Sequence, residues 1–117
     1  VALESAYYDK SKVTEHLVDR YHSLMLRSGN RKAFIYAMAG VGLSKRDTDK
    51  YALMTIRTPT LLLHGCNDTW IEPYYSEWMR RDIANSTLIM YENAGHVLQE
   101  ELPRKTAWDV MTWLQKH

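Results

Sequence analysis

Two ionisable side chains in this sequence stand where acid–base chemistry can be done: Asp68, in Gly65–Cys66–Asn67–Asp68–Thr69–Trp70, and His96, in Asn93–Ala94–Gly95–His96. A carboxylate that fixes the tautomer of an imidazole, and stabilises the ring once protonated, is what general-base activation of a hydroxyl requires. Each residue also has a plainer reading. Asn–Asp pairs commonly form loops in which the side chain caps its own turn, and a lone histidine after a glycine is more often a surface or packing residue than a base. It is their joint placement, each just beyond an apolar segment, that favours the catalytic reading. His64, Cys66 and Asp68 alternate as metal ligands do at a strand end, yet zinc needs three or four convergent ligands with a supporting shell, and no second His or Cys cluster follows. No metal and no cofactor is therefore expected. Cys66 reads as a small loop-edge residue, and Glu100 and Glu101 as charges serving the N-terminus of the helix that follows them.

The elements that would carry these residues follow from periodicity. Leu61–Leu62–Leu63–His64 is a short continuous apolar run closed by Gly65, as expected of a strand buried on both faces of a parallel sheet. Pro73 suits the first turn of a helix through Trp78, Met79 and Ile83. Thr87–Leu88–Ile89–Met90–Tyr91 is a second strand, and Pro103 opens a last helix with Ala107, Trp108, Met111 and Leu114 on one face. A strand–helix–strand unit of this length makes parallel neighbours with a right-handed crossover. In such sheets the ligand site lies beyond the carboxyl ends of the strands, so loops 65–72 and 92–99 should share one rim. Upstream the texture is helical. Thr14 is an N-cap before Leu17, Val18, Tyr21, Leu24 and Met25, Gly29 ends that helix, and Asn30 caps a second with Phe34, Ile35 and Met38. A short third helix is expected from about Asp47 to Met54. The boundary falls near residue 55, dividing a helical cap-like segment (1–55) from a βαβα unit (56–117).

The run Ile56–Arg57–Thr58–Pro59–Thr60–Leu61–Leu62–Leu63–His64–Gly65–Cys66–Asn67–Asp68–Thr69–Trp70–Ile71 resembles the acid strand and loop of the α/β-hydrolase family, and Asn93–Ala94–Gly95–His96–Val97–Leu98–Gln99–Glu100–Glu101–Leu102–Pro103 resembles its histidine loop. The resemblance covers residues 56–117 closely, while 1–55 is similar in character to the family's helical cap. It implies an α/β fold, the C-terminal part of the family's sheet, with Asp68 as acid and His96 as base in the order nucleophile, acid, histidine. One departure is that Glu72 stands where a proline is common, with Pro73 one residue later. The family's G-x-S-x-G elbow and oxyanion loop have no counterpart. Gly42–Leu43–Ser44–Lys45–Arg46 lacks the second glycine and follows no strand, and reading His64–Gly65 as the oxyanion loop would require an elbow downstream that does not exist. The expectation is thus a C-terminal hydrolase fragment acting on an ester or related carbonyl, its nucleophile supplied elsewhere. Relatives that open epoxides or displace halide use the same Asp–His half, which leaves the bond type open, as it leaves the choice of serine or aspartate nucleophile.

Composition bounds the remaining classes. At 117 residues and 45% hydrophobic content the chain is one domain at most, and 15 basic against 14 acidic residues give a net charge of +1 with no nucleic-acid footprint. No membrane span or secretion signal is visible, and the single cysteine excludes an internal disulfide, which favours a cytoplasmic setting. The start at Val1 is expected of a processed or truncated product. Because two strands alone are marginal in water, partner strands are expected from a missing N-terminal half or a second copy. The competing reading is a non-catalytic interaction domain that keeps the motif as scaffold and pairs through its sheet edge.

Overall fold

A computed structural model describes residues 2–40 and 51–117. The Gly42–Leu43–Ser44–Lys45–Arg46 stretch and the expected start of the third helix at Asp47 lie outside the described residues; residues 51–54 are helical. Two parallel strands form the centre: β1 (Thr60–Gly65) and β2 (Ser86–Tyr91), joined by α3 (Tyr74–Asp82). A short α4 (Leu98–Glu101) and a longer α5 (Pro103–Leu114) follow. Before β1 come 3-10 turns at Ala2–Ala6 and Lys10–Lys12, then α1 (Glu15–Met25) and α2 (Asn30–Gly40).

Local chemistry explains most of these boundaries. Pro73 precedes α3 at φ −55°, helical geometry that its ring imposes without sacrificing an N–H. Pro103 is the first residue of α5 for the same reason. Thr14 Oγ1 accepts the Leu17 N–H at 3.3 Å, closing one of the free donors of the first turn of α1. The α1–α2 junction differs from expectation. The first helix stops at Met25, four residues before Gly29, which sits at φ 86° inside the connection. Asn30 Nδ2 donates to the Leu24 carbonyl at 2.7 Å, so this side chain satisfies the end of α1 rather than capping α2. An unpaired helix-end carbonyl competes for the amide as effectively as a helix start does.

The strands run level, with Thr60 opposite Ser86 and Gly65 opposite Tyr91, so both deliver their following loops to one rim. The core lies directly beneath that rim: Tyr91, Ala94 and Leu98 are buried, with Leu63, Ile89 and Leu102 packed against them. Away from it burial is thin. Thr60–Leu63 are only half-buried, against the expectation of a strand covered on both faces, because among the described residues the sheet has two strands. The stripe of α5 fares likewise, Trp108 being 72% and Met111 57% exposed. Periodicity identifies an apolar face but not whether a neighbour covers it. Among the described residues no helix is long and apolar enough to cross a membrane.

Candidate active site

The two rim loops meet backbone to backbone. Gly65 closes β1 where a Cβ would lie 2.2 Å from the Gly95 carbonyl oxygen, so only glycine admits the approach. Beyond the strand ends, Cys66 N–H donates to Tyr91 O at 2.8 Å and Asn67 N–H to Ala94 O at 3.0 Å, extending the ladder into the loops. Asn93 takes the left-handed conformation at φ 55°, which asparagine tolerates better than most residues and which turns the chain back toward Asp68.

This junction places Asp68 and His96 in contact: His96 Nδ1 donates to Asp68 Oδ2 at 2.8 Å across 28 residues of sequence. The other carboxylate oxygen, Oδ1, accepts the Trp70 and Ile71 N–H groups at 2.8 and 3.0 Å. The turn-capping and imidazole-holding roles weighed for Asp68 are therefore both present, one on each oxygen. Asp68 is 8% exposed. Burial pulls its carboxyl pKa upward, but the Ile71 N–H, the His96 ring and the Trp70 N–H outweigh it and hold the group below the ordinary aspartate value. With Nδ1 given to Asp68, Nε2 is the ring nitrogen His96 can offer to a further group. A cavity of about 160 Å³ adjoins the pair, lined by His64, Asp68, Ile71 and His96 with Leu63 and Leu98 at its apolar wall. Trp70 covers one side of the imidazole, with ring centroids 5.0 Å apart.

Three features escape sequence reasoning. His64 Nε2 stands 3.2 Å from Asp68 Oδ2 and 3.0 Å from the Ile71 carbonyl, and its Nδ1 is hydrogen-bonded to Ser76 Oγ. The alternation of His64 with Asp68 at the strand end is the signal that could have found this contact. Residues 2–12, assigned to the cap, lie against the rim. Ala6 O accepts the His96 N–H at 2.7 Å, and the Ser5 carbonyl and hydroxyl accept Thr69 Oγ1 and Trp70 Nε1, both at 2.8 Å. Glu101 and Glu100, expected to serve a helix start, face that segment instead. Glu101 accepts the Tyr8, Asp9 and Gly95 N–H groups, while Glu100 accepts the Tyr7 and Tyr21 hydroxyls. The buried Gly95 amide and the part-buried amides of Tyr8 and Asp9 outbid a solvent-screened helix end for the carboxylate. Cys66 is exposed and free. Among the described residues no group of three or more His, Cys, Asp or Glu is arranged to hold a metal ion.

No family model matches the chain. It is 32% identical over 96 residues to the AB hydrolase superfamily protein YisY of Bacillus subtilis (strain 168), covering 80% of this chain and 33% of that protein. Among solved structures it superposes on a serine hydrolase involved in carbazole degradation (CarC) with a TM-score of 0.83 at 16% identity, covering 99% of this chain and 45% of that one. It also superposes on the meta-cleavage product hydrolase of Pseudomonas fluorescens IP01 (CumD) with a TM-score of 0.77 at 19% identity, covering 97% of this chain and 43% of the other. The chain thus spans a third to less than half the length of the proteins it matches.

Proposed function

The chain has the α/β-hydrolase fold over part of that fold's length, and from this premise we propose that it supplies the acid and the general base of a nucleophile–His–Asp triad, Asp68 and His96. The observation that carries the reading is the 2.8 Å hydrogen bond from His96 Nδ1 to the buried Asp68. In the intact protein a nucleophile from outside these 117 residues, a serine in this reading, adds to the carbonyl carbon of a carboxylic ester or related substrate. Its hydroxyl proton passes to His96 Nε2, the substrate π electrons move to oxygen, and Asp68 stabilises the imidazolium. Collapse of the adduct expels the alkoxide, which takes the proton from Nε2; water then repeats the sequence on the acyl group. The names of the solved neighbours, a serine hydrolase and a meta-cleavage product hydrolase, support hydrolytic chemistry and a serine nucleophile. Residues 56–117 are read as the C-terminal core unit and α1 and α2 as part of the cap above the cavity. The half-buried sheet and the bare stripe of α5 support partner strands from the rest of a hydrolase domain.

The test is ester hydrolysis by the intact protein and its His96→Ala variant. Loss of the base from a triad that acts as a unit removes about 10⁶ in turnover. Retention of activity in a folded His96→Ala protein would overturn the assignment.

A further inference from the structure

His64 is buried, 12 residues from its partner Ser76 and four from Asp68, and the triad chemistry makes no use of it. Its contacts fix its tautomer. Nε2 lies between two acceptors, the Ile71 carbonyl at 3.0 Å and Asp68 Oδ2 at 3.2 Å. A lone pair there would face two oxygens, so Nε2 carries the proton. Nδ1 is then the acceptor for the Ser76 hydroxyl, which α3 presents from one turn inside its start. The polar groups thus form a line: Ser76 O–H to His64 Nδ1, His64 Nε2–H to Ile71 O with Asp68 Oδ2 3.2 Å from the same nitrogen, and His96 Nδ1–H to that Oδ2. Asp68 Oδ1 is already held by two backbone amides. Oδ2 lies between two imidazoles, His96 at 2.8 Å and His64 at 3.2 Å.

We propose that His64 acts on the acid as a positioning residue: its Nε2–H, given to the Ile71 carbonyl and standing 3.2 Å from Asp68 Oδ2, competes with the His96 Nδ1–H for that oxygen and so tempers the hydrogen bond that His96 receives. The inference rests on the reading of Asp68 and His96 as acid and base. Its physical content is competition for one acceptor: removing the first donor strengthens the bond made by the second. A residue that merely filled space would give the opposite or no effect, because a loosened carboxylate weakens its remaining bond. Glutamine carries a donor where Nε2 stands, whereas phenylalanine keeps the ring volume without one.

The experiment is proton NMR of the imidazole N–H region of the intact, ¹⁵N-histidine-labelled protein. In His64→Phe the His64 resonance disappears and the His96 Nδ1 proton moves downfield, while in His64→Gln it stays at the wild-type position. Should His64→Phe not fold, Ser76→Ala serves in its place: losing the donor to Nδ1 frees the ring to turn, and the His96 proton moves downfield by less. A folded variant in which that proton stays put or moves upfield overturns the inference. Asp68→Asn separates this outcome from failure of the underlying reading. If the His96 resonance survives unshifted in Asp68→Asn, the acid assignment itself is wrong; if it is lost there but does not respond to His64, only the role of His64 falls.

Discussion

Asp68 and Glu101 are both buried carboxylates, 8% and 3% exposed, and both accept backbone N–H groups, yet their surroundings use them differently. Around Asp68 one oxygen closes the local turn and the other is given to an imidazole on the second loop. Around Glu101 both oxygens go to backbone, Oε1 to Tyr8 and Asp9 and Oε2 to Gly95, and its own carbonyl accepts Lys12 Nζ. The second arrangement fastens residues 7–12 to the histidine loop and leaves nothing over for chemistry. What separates the two carboxylates is therefore not burial but the chemistry of the donor on the last oxygen.

Substitutions that act on one carboxylate and spare the other sharpen this contrast. The largest effect on stability is expected at the structural acid. Glu101→Ala strands the buried Gly95 N–H at about 1–3 kcal/mol and removes two further, part-buried hydrogen bonds from Tyr8 and Asp9 at about 0.5–1.5 kcal/mol each. A loss of at least about 2 kcal/mol in urea denaturation should follow, and a loss below about 1 kcal/mol would mean that water replaces the carboxylate freely. Next comes the seam between the loops. A Cβ at residue 65 would meet Gly95 O at 2.2 Å, so Gly65→Ala must push the loops apart, costing about 1–3 kcal/mol as overpacking does. It should also lengthen the His96–Asp68 bond, which the imidazole N–H resonance reads directly.

The smallest effect is a pH dependence at Asp68. Its folded pKa lies below the ordinary value of 3.8, with burial opposing and the Ile71, His96 and Trp70 hydrogen bonds prevailing. A depressed folded pKa contributes stability that is complete above the unfolded value and is lost as pH falls through the lower folded one. The acid limb of a stability–pH curve should therefore flatten in Asp68→Asn. An unchanged limb would show that other carboxyls dominate it.

How much of this the sequence discloses depends on range. The βαβα order, the strand ends and the rim position of residues 68 and 96 follow from apolar runs and proline placement, which act over a few residues. The joint between Glu101 and residues 8–9 spans more than 90 residues and leaves no local trace. The same holds for the hydroxyl of Tyr7 on Glu100. Asn30 misleads for a related reason: the same amide suits a helix start and a helix end, and only the packed α1–α2 connection decides between them. Helical spacing on α5 marks Trp108 and Met111 as apolar but says nothing about which surface meets them.

The central claim is that Asp68 holds His96 in the tautomer that accepts a proton, and it is tested most directly by turnover of the intact Asp68→Asn protein on a carboxylic ester beside wild type. Asparagine preserves the shape but presents the wrong hydrogen-bonding group to Nδ1, and turnover should fall about 10⁴-fold with the fold unchanged by circular dichroism. Wild-type turnover from a folded Asp68→Asn protein would contradict the account.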